Sequence, residues 1–184
     1  MHPWRASSSG DDREGRSRLG FRTGIGFDAH RFAEGRRLVL GGVGIDHPLG
    51  LAGHSDADVL CHAIADALLG AAGLEDIGHY FPDSDPRWQD ADSTLLLAEA
   101  ARLAGEAGCR VANVDAVVVA EEPKIAPHRE AMRARLAEAI GVPVSSVSVR
   151  GTTTEGMGFT GRGEGIAAMA VTLLECGGAG PDKP

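Results

Sequence analysis

At 184 residues and 19.1 kDa the chain has the size of one domain, long enough to bury about 70% of its unfolded surface without staples. A net charge of -8, from 26 acidic and 18 basic side chains, argues against a general nucleic-acid binder, which needs a basic footprint. Hydrophobic residues at 43%, a mean hydropathy of -0.08 and no apolar run near the roughly 18 residues of a membrane span describe a soluble globular protein.

Residues 1–20 lack the apolar segment of a secretory signal, and Asp11, Asp12 and Glu14 speak against a transit peptide. They read as a disordered extension ahead of a single domain over 21–176. Phe21–Asp28 and Arg37–Leu40 read as strands, the second closed by Gly41-Gly42. From Ser55 to about Ala72, Val59, Leu60, Ala63, Ile64, Ala67, Leu68 and Ala71 recur at helical spacing, Ser55-x-x-Asp58 forms a capping signature, and Gly73 is a natural stop. Asp76–Asp92 reads as a loop, and Ser93 to about Ala107 as a second helix ending at Gly108. Asn113–Ala120 is a Val-rich strand, and Pro127 opens a third helix that runs to Gly141. Val144–Val149 alternates like a strand, Gly151–Gly165 is a glycine-rich loop, and Ile166–Leu174 is a last apolar strand. The expected fold is α/β (α+β): one mixed sheet with βαβ crossovers and helices on one face. The Gly/Pro-rich residues 177–184 read as a flexible tail. Cys61, Cys109 and Cys176 are odd in number, far apart and without a C-x-x-C pair. That predicts no disulfide framework and a reducing, cytoplasmic setting.

On a strand, positions i and i+2 share a face, so Asp28 and His30 point together. His62 falls outside the apolar stripe of its helix, in line with Asp58 and Asp66, either of which could hold the far ring nitrogen of a metal-ligating His. Asp/His triplets with an open position make catalytic zinc sites, although D-x-H is short and His62 also fits a plain amphipathic helix. His54-Ser55-Asp56 precedes the helix, where backbone amides favour anions; Ser55 serves equally as a cap. Arg occurs 16 times and Lys only twice, so Lys124, between Pro123 and Pro127, stands out as a compact ammonium where α/β sheets place ligands. Thr152, Thr153 and Thr154 open the glycine-rich loop, whose hydroxyls and amides suit phosphate, with Arg162 nearby; a plain turn is the alternative. Asp83-Ser84-Asp85 matches a D-x-D metal motif or two Asx turns. No nucleophile elbow appears. Together these groups suit phosphoryl transfer by positioning and charge neutralisation.

The same residues carry a likeness. Gly26-Phe27-Asp28-Ala29-His30-Arg31-Phe32, His54-Ser55-Asp56-Ala57-Asp58, His62 with Asp66-Ala67-Leu68-Leu69-Gly70, Asp76-Ile77-Gly78 and Phe81-Pro82-Asp83 occur in order. Pro123-Lys124 and Thr152-Thr153-Thr154-Glu155 through Gly158-Phe159-Thr160-Gly161-Arg162-Gly163-Glu164-Gly165 follow. From about Phe21 to Leu174 the pattern resembles the 2-C-methyl-D-erythritol 2,4-cyclodiphosphate synthases, enzymes of non-mevalonate isoprenoid biosynthesis. The resemblance implies a reaction in which the 2-phosphate of 4-diphosphocytidyl-2-C-methyl-D-erythritol 2-phosphate attacks its β-phosphorus and expels CMP.

It further implies that Asp28, His30 and His62 bind one zinc per subunit, with a substrate phosphate oxygen in the open position. His54 and Thr153 would act at the transition state beside Ser55, with Ala29 among the substrate contacts. Asp76, Ile77, Gly78, Phe81, Pro82, Asp83, Ser84 and Asp85 would hold the methylerythritol. Ala120, Glu121, Glu122, Pro123, Lys124, Ile125 and Ala126, with Thr152, Thr153, Thr154 and Glu155, would receive the cytidine diphosphate. Mg2+ or Mn2+ would sit on the diphosphate near Glu155, Phe159 and Arg162 would complete the set, and the enzyme would be a homotrimer with active sites between subunits. The first 20 residues and the tail match nothing in the family pattern. Met169 stands where some members carry a Glu facing Arg162 across the trimer axis. No cytidylyltransferase domain precedes Phe21, which speaks against the fused bifunctional form. A zinc phosphohydrolase and a non-catalytic nucleotide binder are the competing readings.

Overall fold

The structure, a computed structural model, describes residues 20–82 and 84–177. Apart from Gly20 the extension expected over 1–20 lies outside the described residues, as do Asp83 and the tail after Gly177. The main sheet has five strands in the order β4–β1–β7–β5–β6. Its long central pair, β1 (Gly20–Ala33) and β7 (Gly165–Cys176), runs antiparallel from Gly20 opposite Cys176 to Arg31 opposite Gly165. β5 (Cys109–Val119) is antiparallel to β7 and parallel to β6 (Val147–Thr152), and α4 (Arg129–Ile140) makes the expected crossover between them. β4 (Gly50–Leu51) extends the other edge, while β2 (Leu38–Leu40) and β3 (Val43–Ile45) form a separate ribbon.

The helices α1 (Val59–Ala72) and α3 (Ser93–Glu106) pack on one face of the sheet. Why α1 lies so close to β1 is written in the strand's inward positions, Gly24, Gly26, Asp28 and His30. A Cβ on Gly24 would stand 2.0 Å from the Ala67 carbonyl oxygen, and one on Gly26 2.0 Å from that of Ala63. Strand backbone and helix backbone touch there, with only alanines from α1 between. Two positions further along, the same face presents Asp28 and His30 to the first turn of α1, where His62 sits. α1 is buried on nearly every side, and only His62, Asp66 and Gly70 reach the surface.

Several local expectations shift. α1 starts at Val59 rather than Ser55, because the Asp58 carboxylate is the cap, accepting from Leu60 N–H and Cys61 N–H. The same carboxylate accepts from Gly41 N–H at 2.9 Å and Gly42 N–H at 2.7 Å, so it ties the β2–β3 turn to the helix. Val144–Ser146 is a single 3-10 turn, and β6 begins only at Val147. The 76–92 loop contains the one-turn helix α2 (Ile77–Tyr80), and the glycine-rich loop contains α5 (Gly158–Gly161).

The cysteine reading needs a correction. Cys109 and Cys176 form a disulfide, leaving buried Cys61 free. They are 67 residues apart, and only the register of β5 against β7 sets them opposite each other. The cysteine count therefore fixes no compartment. Among the described residues no helix is long and apolar enough to cross a membrane. The sheet's outer face carries exposed Phe21, Ile25 and Phe27 on β1 beside Met169 and Val171 on β7.

Candidate active site

Asp28 and His30 on β1 meet His62 on α1 so that one ligand atom from each lies within 4.8 Å of the others. Asp28 Oδ2 is 2.9 Å from His30 Nε2 and 3.0 Å from His62 Nδ1, and the two ring nitrogens are 3.3 Å apart. The rear of each ring is engaged elsewhere: His30 Nδ1–H donates to the Ala52 carbonyl at 2.7 Å, and His62 Nε2 lies 3.0 Å from Ser93 Oγ and 3.1 Å from Ser55 Oγ. For His30 the consequence is direct. A carbonyl only accepts, so Nδ1 carries a proton and Nε2 is the nitrogen that faces Asp28 and His62.

Electrostatics within the triad are strongly coupled. Burial opposes ionisation of Asp28, yet its hydrogen bonds with His30 and His62 hold the carboxyl well below the ordinary carboxylate range. Burial likewise disfavours charged His30, and the Asp28 carboxylate outweighs it, raising the imidazole above its usual value. Desolvation raises Asp66, one turn along from His62. A carboxylate and two imidazoles converging on one point fit a divalent cation of borderline softness, in the three-ligand, one-open-position form of catalytic zinc.

The triad opens into a cavity of about 280 Å³ lined by Asp28, His30, Gly53, His54, Ser55, His62, Asp66, Ile77, Gly78, Phe81, Trp88 and Leu96. His54 is held by Nε2–H donating to the Asp85 carbonyl at 3.3 Å, while Arg36 donates to the carbonyls of Gly53 and Ser55 on either side of it. Asp76 caps α2, accepting from His79 N–H, and Asp66 accepts from Ile77 N–H at 2.8 Å, which fixes the pocket's floor to α1.

A second cavity, about 400 Å³, gathers Ala120, Pro123, Lys124, Ile125, Ala126, Thr152 and Thr153 with Arg129, Arg150 and Gly151. The ends of β5 and β6 build it, at the carboxyl edge of the parallel pair. Lys124 Nζ donates to the Glu121 carbonyl at 2.9 Å and pairs with Glu122. Glu121 accepts from Thr154 N–H and Gly156 N–H, ordering the loop, and Thr153 Oγ1–H donates to Glu155 Oε1 at 2.9 Å. Glu155 takes a left-handed φ of 54°.

Within one chain the two groups line separate cavities. Ala29, whose side chain points off the face shared by Asp28 and His30, borders a third cavity with Phe159. Arg162 pairs with Glu164 and borders a fourth with Glu121 and Glu122. Asp85 engages Arg87, Pro82 and Ser84 flank the first cavity without lining it, and Asp83 lies outside the described residues. Sequence reasoning missed Trp88, Leu96 and Ser93. Trp88 had a signal, being one of two tryptophans in an aromatic-poor chain; Leu96 and Ser93 had none, since only the packing of α3 against α1 brings them in.

The comparisons agree with this geometry. The YgbB family model matches residues 21–175. A 2-C-methyl-D-erythritol 2,4-cyclodiphosphate synthase of Rubrobacter xylanophilus is 67% identical over 159 residues, covering 85% of this chain and 96% of that protein. One from Moorella thermoacetica is 63% identical over 153 residues, covering 83% of this chain and 94% of its own. A solved 2C-methyl-D-erythritol-2,4-cyclodiphosphate synthase in a CDP-bound form superposes with a TM-score of 0.76 at 40% identity, covering 83% of this chain and 99% of that one. With the family match, these identities and the shared fold in accord, the chain belongs to the YgbB family of 2-C-methyl-D-erythritol 2,4-cyclodiphosphate synthases.

Proposed function

We propose that the two cavities are the two halves of one active site, joined across a subunit interface of a homotrimer. The chain converts 4-diphosphocytidyl-2-C-methyl-D-erythritol 2-phosphate into 2-C-methyl-D-erythritol 2,4-cyclodiphosphate and CMP, in non-mevalonate isoprenoid biosynthesis. In this reaction an oxygen of the 2-phosphate forms a bond to the β-phosphorus, the bond from that phosphorus to the bridging oxygen breaks, and CMP leaves with the electron pair.

The observation that carries the reading is the convergence of Asp28 Oδ2, His30 Nε2 and His62 Nδ1. These atoms would hold one zinc ion per subunit, whose charge would offset that of the phosphate oxygens. Ile77, Gly78 and Phe81 offer an apolar wall to the methylerythritol, and His54, anchored through Nε2, faces the same space. Across the interface the Lys124 ammonium and the Thr152 and Thr153 hydroxyls would bind the diphosphate. The Thr153 proton would turn from Glu155 to a β-phosphate oxygen as charge builds there. Glu155, thus released, would face a Mg2+ or Mn2+ ion carried on the diphosphate. Holding both phosphates in line supplies the positioning that a reaction without a protein nucleophile requires.

The separation of the cavities supports a shared site, and the exposed apolar stripe of Phe21, Ile25, Phe27, Met169 and Val171 supports burial against another subunit. A CMP-release assay on the authentic substrate, with metal analysis of the same sample, tests the reading. Cyclic diphosphate and CMP from a protein holding one zinc per chain are expected; free phosphate or a linear product would overturn it.

A further inference from the structure

Behind His62 lies a largely buried chain of polar groups, of which Ser55 alone lines the first cavity. Ser93, the first residue of α3, is fully buried, and its Oγ lies 3.0 Å from His62 Nε2, 3.1 Å from Ser55 Oγ and in a short contact with Asp56 Oδ1. Asp56 also accepts from Ser93 N–H and Asp58 N–H, both at 3.3 Å. Ser55 Oγ already accepts from Ala57 N–H.

Protons can be assigned one after another along this chain. A carboxylate has no proton to give, so the short contact at Asp56 takes the single hydroxyl proton of Ser93. Ser93 Oγ then has only lone pairs to offer His62. That contact is a hydrogen bond only if the ring donates from Nε2, and an Nε2–H ring keeps Nδ1 as the nitrogen able to meet a metal beside Asp28 and His30. The Asp28 carboxylate, 3.0 Å from Nδ1, pulls the other way by accepting from Nδ1–H in metal-free protein.

We propose that Asp56 and Ser93 are positioning residues that keep a proton on His62 Nε2 and thereby leave Nδ1 as the nitrogen that can ligate beside Asp28 and His30. The proposal rests on the reading of Asp28, His30 and His62 as a metal site. It assigns a role to a serine and an aspartate that touch no substrate. His30 obtains the same result from one backbone carbonyl, which no side-chain substitution can remove. His62, on a helix whose own carbonyls are engaged, depends on side chains from two other segments.

The test has three readouts on full-length protein. In zinc-free wild-type enzyme labelled with 15N at histidine, NMR is expected to show a proton on His62 Nε2; a bare Nε2 overturns the proposal without any variant. Chelator competition with zinc alone is expected to show Ser93→Ala binding roughly 10- to 100-fold more weakly than wild type, the range seen for groups behind a ligating histidine. The double variant Asp56→Ala/Ser93→Ala is expected to bind no more weakly than Ser93→Ala, because the relay is already cut. Wild-type affinity in Ser93→Ala, or losses that add in the double variant, would sink the relay. A wild-type protein that binds no zinc at all would instead refute the metal site, and the tautomer measurement would still judge the relay. Should Ser93→Ala fail to fold, Asp56→Ala carries the affinity comparison: freeing the Ser93 proton to point at His62 is expected to weaken zinc binding.

Discussion

The two cavities are held in opposite ways. Around the triad every functional group is engaged by something distant in sequence: His30 by Ala52, His62 by Ser93, Ile77 by Asp66. Side-chain exposure there is low, 24% for Asp28, 20% for His30 and 15% for His62. At the other cavity Lys124 is 64% exposed, and its partners and those of Thr153 come from their own loops. The first half is set before any ligand arrives. The second offers exposed, locally partnered donors at the edge of the sheet, suited to groups that change charge during the reaction. Fixed geometry would serve the proposed metal, and adjustable hydrogen bonds the proposed leaving group.

Cutting the fixed half should have the largest effect. His62→Ala is expected to abolish both stoichiometric zinc and turnover while the fold persists, since the ring lies at one of the few surface-reaching positions of α1. Metal analysis with circular dichroism checks this, and a zinc-replete variant would break the assignment. Thr153→Val, in the adjustable half, is expected to lower kcat about 100-fold with little change in zinc content, the cost typical of a lost transition-state donor. A raised KM with unchanged kcat would mark Thr153 as a ground-state binder instead.

Joining the halves gives a smaller, positive signal. His62→Ala and Lys124→Ala chains, each nearly inactive, should recover about a quarter of wild-type activity when co-expressed, because a random closed ring pairs the two sound halves at one junction in four. A verified mixed trimer no more active than its parents would show that each site lies within one chain. The smallest effect on stability is expected from removing metal. Asp28 keeps both imidazoles in place as hydrogen-bonded partners, so chelation should erase activity yet shift Tm by only a few degrees, read by calorimetry.

What the sequence disclosed followed from periodicity. The i, i+2 rule put Asp28 and His30 on one face, and the helical pattern put His62 on α1 clear of its apolar stripe. Long-range contact was hidden. Asp58 and Asp66 were expected behind His62 because they lie one turn away; Asp58 instead caps α1 and Asp66 holds Ile77, while Ser93, 31 residues on, occupies the place. The Cys109–Cys176 pairing likewise depends on strand register, which no local spacing encodes. Ser55 and Asp58 are both good caps. Asp58 prevails because Gly41 and Gly42 also deliver their amides to it.

Gly24 and Gly26 act as a spacer of zero thickness between β1 and α1. A metal centre tolerates errors of about 0.5 Å in its ligands, and on the proposed reading one layer would supply two ligands and the other the third. The gap between layers is therefore a setting of the instrument: any side chain inserted at either glycine would lift His62 off its target along with the rest of the helix. Two residues with no functional group, facing no ligand, would thus govern the proposed metal capture as firmly as the ligands themselves. A mutational scan of this enzyme should reveal them as sensitive sites at a distance from everything that reacts.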